Sequence, residues 1–459
     1  MVLISSIDTP TLGDRSYLAH DGRVALVVDP QRDIDRVLKL AADEGVRITH
    51  VFETHIHNDY VTGGFALAAA TGAAYHVNAE DPVDFAHTPV GDGDLVPVGD
   101  RMRIRVLATP GHTFTHLSYL LEEHGDSGWN PVGVFTGGSL LYGAVGRPDL
   151  LGPEHTDALA RHQHASAQRL TRLADETLVL PTHGFGSFCS ASQSTAEAST
   201  IGVEKASNPA VTLGLAEFVE TLLAGLDAWP AYYARMAPAN LAGPAAGMLD
   251  APRRADAAEI RASLDDGDWV VDLRNRVAFA AEHVVGSVNI GLDGSFATYL
   301  GWVIPADANI TLLGETPEQI LEARRELTRI GVEPAAHATG SVADWTGERA
   351  PGSYPRAGFA ELAHVRHHRP VTILDVRRRL EHAEAHLPDA LWIPLHELLT
   401  RIDEVPDGEI WVQCAAGYRA SIAASLLAAR GRTVVHVDDD FDAALRAGAI
   451  SAAVPEPVG

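Results

Sequence analysis

Cysteine and positive charge are scarce in this chain. Only 2 of its 459 residues are cysteine, which excludes a disulfide-stapled scaffold and fits a reducing compartment. Its 35 Lys and Arg face 61 Asp and Glu, a formal net charge of -26, so polyanions are repelled and neither nucleic acid nor an anionic membrane surface is an expected partner. No apolar run approaches the roughly 20 residues of a membrane span. Residues 1–10 lack the basic stretch and apolar core of a secretion signal, so a cytoplasmic location is expected. With 46% hydrophobic residues the chain can bury sizeable cores, and its length exceeds one ordinary domain.

Short apolar runs at 24–28, 48–52, 104–107, 132–135 and 177–180 alternate with turn-rich loops and helical stretches. This predicts an α/β domain with its strands in the core. Histidine-bearing loops follow those strands, where catalytic groups tend to be placed. A helical region is expected over 212–226, and the Pro/Gly/Ala-rich stretch 237–252 reads as a linker.

Beyond the linker the chain repeats itself. Val271-Asp272-Leu273-Arg274 matches Leu374-Asp375-Val376-Arg377, and Glu282-His283-Val284-Val285-Gly286 matches Ala385-His386-Leu387-Pro388-Asp389. Ile310-Thr311-Leu312-Leu313 matches Ile410-Trp411-Val412-Gln413 at nearly the same offset. Two homologous α/β domains in tandem are predicted, parted near residues 346–356. Where the second has Cys414 after its strand, the first has Gly314 followed by Glu315. Glycine offers no nucleophile and Glu315 sets a negative charge where an anion would sit, so the first copy is expected to be a non-catalytic spacer or docking module. The expected domains are 1–245, 252–348 and 356–459.

Val412-Gln413-Cys414-Ala415-Ala416-Gly417-Tyr418-Arg419 places a cysteine at the end of a strand, then a glycine-containing loop, then a helix with apolar Ile422, Leu426 and Leu427 that stops at Gly431. Backbone N–H groups at such a turn form an anion-binding concavity to which Arg419 could add, a setting that favours a thiolate or persulfide. The segment resembles the active-site loop of the rhodanese family, and the resemblance spans the last domain, including Asp375, Arg377 and His386. It implies Cys414 as the sulfur carrier, with Gly417 and Arg419 in the catalytic loop; Asp375 with Arg377 reads as a structural ion pair. Phosphatases of the same fold have one more residue between Cys and Arg, so four intervening residues suit sulfur better than phosphate. Ala415 stands where many thiosulfate enzymes carry a basic residue.

In the first domain, Thr54-His55-Ile56-His57-Asn58-Asp59-Tyr60 follows an apolar run, and Gly111-His112 and Thr182-His183 occupy later post-strand loops. Neutral imidazole is a good donor to zinc or ferrous iron, so His55, His57, His112, Asp59 and His183 are candidate ligands for one divalent ion, with no organic cofactor. The pattern resembles the metallo-β-lactamase superfamily over roughly residues 1–200. It is most similar to the persulfide dioxygenases fused to tandem rhodanese domains, a resemblance also carried by residues 135–141, 146–149 and 199–205.

That resemblance implies an αββα sandwich followed by two rhodanese-like α/β domains. It also implies a low-molecular-weight thiol or protein persulfide as partner, and fusions of this kind often self-associate into homo-oligomers. In persulfide dioxygenases the equivalents of His55 and His112 hold iron with an Asp that follows Thr-Gly; here Gly138 occupies that place, and Tyr60 replaces the second-metal His of dinuclear relatives. A three-histidine face of His55, His57 and His112 is therefore expected, with Asp59 as the carboxylate, and His183 is expected to matter less. Iron would suit oxidation of a persulfide to sulfite; zinc would suit hydrolysis of a thioester, as in glyoxalase II. A degenerate metal domain acting as scaffold is the third alternative. Cys189 lies close enough to His183 in sequence to act as a sulfur relay, the other reading being a packed loop cysteine.

Overall fold

The structure, a computed structural model, describes residues 1–126, 128–191, 196–451 and 453. It divides into two compact units, Met1–Met248 with Thr328–Gly331, and Leu249–Leu327 with Val332–Gly459.

The first unit is built on two six-stranded sheets. One carries Leu3–Thr9, Asp14–His20, Val24–Val28, Arg47–Phe52, Ala74–Asn78 and Thr88–Val90 in that spatial order; the other runs from Leu95–Val98 through Met102–Ala108, Leu117–Gly125, Gly128–Gly137 and Leu178–Pro181 to Ser199–Thr200. The two-residue period of a strand explains why the apolar runs are unbroken. In Val24–Val28, Leu26 and Val28 enter the core between the sheets, while Ala25 and Val27 enter a second core with Val37 and Ala41 of the helix Asp35–Asp43. Phe135 and Val134 divide in the same way, Phe135 between the sheets and Val134 toward the helix Pro153–Leu170 through Ala160 and Ala167. Each sheet is thus apolar on both faces, and the layers are αββα as expected.

The stretch expected to be a linker is helical over its first part. The helix Tyr233–Leu241 contains Pro238 and is held by buried Asn240, whose Nδ2 donates to the carbonyls of His57 and Tyr60 at 2.9 Å each and whose Oδ1 accepts from the Thr62 amide at 2.9 Å. These tertiary bonds override the helix-breaking composition. The expected helix at 212–226 is Leu215–Ala224.

The second unit holds two five-stranded, wholly parallel sheets of identical connectivity. Reading across the first, the strands are Arg253–Arg254, Ala336–Thr339, Ile310–Gly314, Trp269–Asp272 and Val288–Asn289; the second has Arg356–Ala357, Thr433–Val437, Glu409–Gln413, Thr372–Asp375 and Leu391–Trp392. The repeat extends to side chains. Arg274 pairs with Asp272 at 2.6 Å and donates to the carbonyl of Glu282, as Arg377 pairs with Asp375 at 2.7 Å and donates to Ala385. These are buried ion pairs that tie a strand end to the following turn.

Candidate functional site

The loops that follow three strands of the first unit, Arg47–Phe52, Met102–Ala108 and Leu178–Pro181, bring five histidines together. The His55 ring lies 4.1 Å from that of His57, 4.8 Å from His112, 5.0 Å from His116 and 5.4 Å from His183, centroid to centroid. All five are buried. Asp29 pins two of the loops: its backbone sits at a φ of 51°, and its carboxylate accepts from the Thr54 amide and hydroxyl at 2.7 Å each and from the Thr182 hydroxyl. Burial works against charge on Asp29, but His57 and these hydrogen bonds outweigh it and hold the carboxyl below its ordinary range.

Hydrogen bonds also decide which nitrogen each ring leaves over. His112 Nδ1 contacts the Arg147 carbonyl at 2.8 Å, so it carries the proton, and Nε2 has no partner among the described residues. His55 Nδ1 meets the Thr54 hydroxyl at 2.9 Å while its Nε2 faces His183 Nε2 at 3.4 Å. His183 Nδ1 lies 2.9 Å from Asp14 Oδ1 and 3.1 Å from Asp59 Oδ2. His57 is turned the other way: Tyr60 Oη at 3.0 Å, with Asp29 and Glu53 at 3.3 Å each, engages Nε2, and among the described residues neither Nδ1 nor Asp59 Oδ1 has a hydrogen-bond partner.

Leaving a buried polar atom unpaired costs about 1–3 kcal/mol. Three such atoms in one cluster, two on imidazoles oriented through their other nitrogen and one on the Asp59 carboxylate, form the arrangement a metal ion satisfies. Ligand atoms of His55, His57 and His183 lie within 4.8 Å of one another, as do those of His112, His183 and Cys189, and those of Asp14, Asp59 and His183. The residues therefore fit a divalent cation. Burial and the neighbouring imidazoles keep His55 well below its ordinary range and His112 down at about 3, so both stay neutral donors. Burial also disfavours charge on His183, but the carboxylates of Asp59 and Asp14 overcome it and raise that ring to about 10.

The structure thus gathers every candidate ligand, yet distributes them differently from the expectation. His183 stands at the meeting point of the candidate sets. Gly138 offers no carboxylate and its amide donates to His116 Nε2 at 3.0 Å. Both His116 nitrogens are used, Nδ1 meeting the Thr109 hydroxyl at 2.9 Å, which makes it a positioning residue. Sequence reading missed His116, Asp14, Asp29 and Glu53. Asp29 carried a signal: a carboxylate directly after a strand buried on both faces needs an internal partner.

Cys189 is buried beside this cluster. Its amide donates to Ser187 Oγ at 3.2 Å and its carbonyl accepts from the Arg147 amide at 2.8 Å. Burial, then the charges of Asp59 and Asp14, push its thiol well above the usual range.

In the second unit Cys414 follows the strand Glu409–Gln413 and precedes the helix Tyr418–Ala428. Its Sγ accepts from the Ala420 amide at 3.4 Å. Gly417 has a φ of 88°, and a Cβ there would lie 2.3 Å from Asp438 Oδ1, so glycine is obligatory at that turn. Arg419 is not the free cation expected: both its terminal nitrogens pair with Glu381, at 2.5 and 2.6 Å. Two residues of the cysteine-less copy border the Cys414 loop: Arg276 pairs with Asp438, which lies against Gly417, at 2.6 Å, and the Tyr299 ring lies 5.8 Å from that of Tyr418. Nothing in the sequence pointed to either, because their relation to the loop exists only through packing between the repeats.

The rhodanese-like domain family matches this chain twice, over residues 256–348 and 359–447. The crystal structure of a metallo-beta-lactamase from Staphylococcus aureus is 28% identical, superposes with a TM-score of 0.66, and covers 74% of this chain and 99% of its own. The chain belongs to the metallo-β-lactamase-fold proteins fused to tandem rhodanese-like domains. Among curated relatives of this fusion's metal domain, human persulfide dioxygenase ETHE1 is 27% identical over 220 residues, 48% of this chain and 77% of the relative. The hydroxyacylglutathione hydrolase of Polaromonas sp. is 33% identical over 164 residues, 35% of this chain and only 57% of the hydrolase. No helix among the described residues is long and apolar enough to cross a membrane.

Proposed function

We propose that this protein processes persulfide sulfur, with Cys414 as the carrier and one divalent ion in the first domain acting on a thiol-bound sulfur substrate. The observation that carries the reading is the Ala420 amide directed at Cys414 Sγ at 3.4 Å, a fixed donor for sulfur anions. The reading divides the chain at 1–245, 252–348 and 356–459, with chemistry in the outer two domains.

The Cys414 thiolate attacks the outer sulfur of a donor persulfide. The donor S–S bond breaks, the donor leaves as a thiolate, and a persulfide anion remains on Cys414. An acceptor thiol then takes the outer sulfur by the same exchange. The Ala420 N–H faces the anionic sulfur throughout, and Gly417 allows the backbone to close beneath it. Arg419, neutralised by Glu381, holds the loop against the helix Arg379–Glu384 and leaves the anion to backbone donors. A low-molecular-weight thiol or a protein thiol serves as donor and acceptor.

In the first domain, His55, His57, His112, His183 and Asp59 would hold the ion. When bound it supplies Lewis-acid activation, and redox chemistry if it is iron. The chain's own contribution is orientation and exclusion of water. Asp14 turns His183, the Arg147 carbonyl turns His112, and Tyr60 with Asp29 turns His57. A hydrolytic reading of the same site is favoured by the hydroxyacylglutathione hydrolase relative.

Metal analysis by emission spectroscopy on anaerobically purified protein separates these readings. Iron, with persulfide-dependent oxygen uptake, supports oxidation; zinc, with thioester cleavage, supports hydrolysis; protein free of either metal would leave only the Cys414 reaction standing.

A further inference from the structure

We propose that Cys189 is a thiolate ligand of the divalent ion, together with His112 and His183. This rests on the reading of the first domain as metal-binding and deepens it by naming an anionic ligand. The three ligand atoms lie within 4.8 Å of one another, and all three residues are buried. His112 Nε2 is oriented by the bond from its Nδ1 to Arg147, lacks a partner among the described residues, and belongs to a side chain with no exposed surface. Arg147 is also the residue whose amide anchors the Cys189 carbonyl at 2.8 Å. One residue therefore fixes both a nitrogen donor and the sulfur donor.

Donor chemistry favours a thiolate at this position. A dication in a fully buried site is stable only among nearby anions. Asp29 accepts from Thr54 and Thr182, Asp14 Oδ1 orients His183, and Glu53 lies against His57. Gly138 has no side chain. None of these carboxylates falls in the set with His112 and His183, where the third ligand atom is the Cys189 sulfur. Ionised Cys189 places an anionic donor on the ion itself. On binding, the thiol proton leaves to solvent as the sulfur–metal bond forms, with no change in oxidation state. Such a set selects thiophilic ions, zinc, cobalt or ferrous iron, over magnesium and manganese.

The test is cobalt(II) substitution of the full chain carrying Cys414→Ser, so that Cys189 is its sole thiol. One equivalent of cobalt should give an intense near-ultraviolet sulfur-to-cobalt charge-transfer band, and Cys189→Ser should abolish it while weakening zinc retention against a chelator by about 10-fold or more. X-ray absorption at the zinc edge of the Cys414→Ser protein should show a sulfur neighbour, a readout independent of whether the Cys189 variant folds. Stoichiometric cobalt without the band, or zinc with only nitrogen and oxygen neighbours, would overturn this assignment and leave the metal reading intact. Failure to bind cobalt or zinc at all would overturn both.

Discussion

The Tyr418 hydroxyl donates to the backbone carbonyl of Gly291 at 2.7 Å. Tyr418 is the first residue of the helix that follows Cys414, and Gly291 belongs to the copy that has no cysteine. The ring packs so closely there that a Cβ on Gly294 would lie 2.4 Å from it. Nearby, Arg276 Nε of the same copy pairs with Asp438 at 2.6 Å, the residue that lies against Gly417. The cysteine-less copy, expected to be a spacer or docking module, therefore braces the Cys414 loop. Tyr418→Phe should lower stability by about 1 kcal/mol and reduce sulfur transfer to cyanide, with Arg276→Ala acting in the same direction. Thermal unfolding and steady-state transfer rates check this; unchanged transfer in both variants would show that the loop needs no brace.

Cys414→Ser should abolish sulfur transfer while leaving the fold and metal content unchanged. Among the cysteines only Cys189 remains, and it is buried in the other unit. Substantial residual transfer from a persulfide donor would refute the assignment of Cys414.

His183→Ala should deplete bound metal as severely as His112→Ala. This reverses the lesser role expected for His183, because its Nε2 faces His55 Nε2 at 3.4 Å and its Nδ1 is oriented by Asp14 at 2.9 Å. Loss of a first ligand should cost well beyond the roughly 10–100-fold typical of an outer partner. Metal-to-protein ratios after dialysis against a chelator provide the measurement.

Gly138→Asp, which the family resemblance suggests as a restoration of the iron-binding carboxylate, should instead disrupt the site. A Cβ at position 138 would meet His112 Cδ2 at 2.3 Å. Overpacking of this kind costs about 1–3 kcal/mol, and here the displaced group is itself a ligand. Lower metal occupancy and a lower melting temperature are expected; higher iron retention would show that the His112 loop can yield.

The Glu381 carboxyl should govern part of the acid stability of the last domain. Burial opposes its charge, but pairing with Arg419 outweighs this and holds it down at about 2, against an ordinary value of about 4.3. A carboxyl depressed on folding contributes stability that is fully present above its unfolded pKa and is lost as pH falls toward the folded one. The wild type should therefore exceed Glu381→Gln by on the order of 1–3 kcal/mol at neutral pH, discounted for the pair's partial exposure. The gap should close between about pH 4.3 and 2. Chemical denaturation of both proteins across that range is the check, and a pH-independent gap would refute the pairing.

The parts of this structure that were legible in the sequence are those with local causes. Residues 24–28 formed a strand because five successive apolar residues can be buried on both faces, and the repeat was visible because strand, turn and ion pair recur in order, Asp272 with Arg274 and Asp375 with Arg377. What stayed hidden depended on contacts between distant segments. Asn240 turns a Pro- and Ala-rich stretch into an ordered helix only because the His57 and Tyr60 carbonyls await it. Glu381 gave no local hint that it would occupy Arg419, and Asp14 lies 169 positions from the His183 it orients.

The helix Tyr418–Ala428 is buried on every side from Ala420 to Leu427, and Ser425 Oγ accepts from the Asn289 amide of the other repeat at 3.0 Å. A duplicated module that loses its nucleophile is ordinarily free to drift or be deleted. Here it forms one wall of the helix that follows Cys414, so a substitution that unseats the cysteine-less copy displaces its sibling's helix as well. Mutational tolerance in the cysteine-less domain should accordingly be lowest along Val288–Asn289 and its flanking turn, far from the position where its own cysteine would have been.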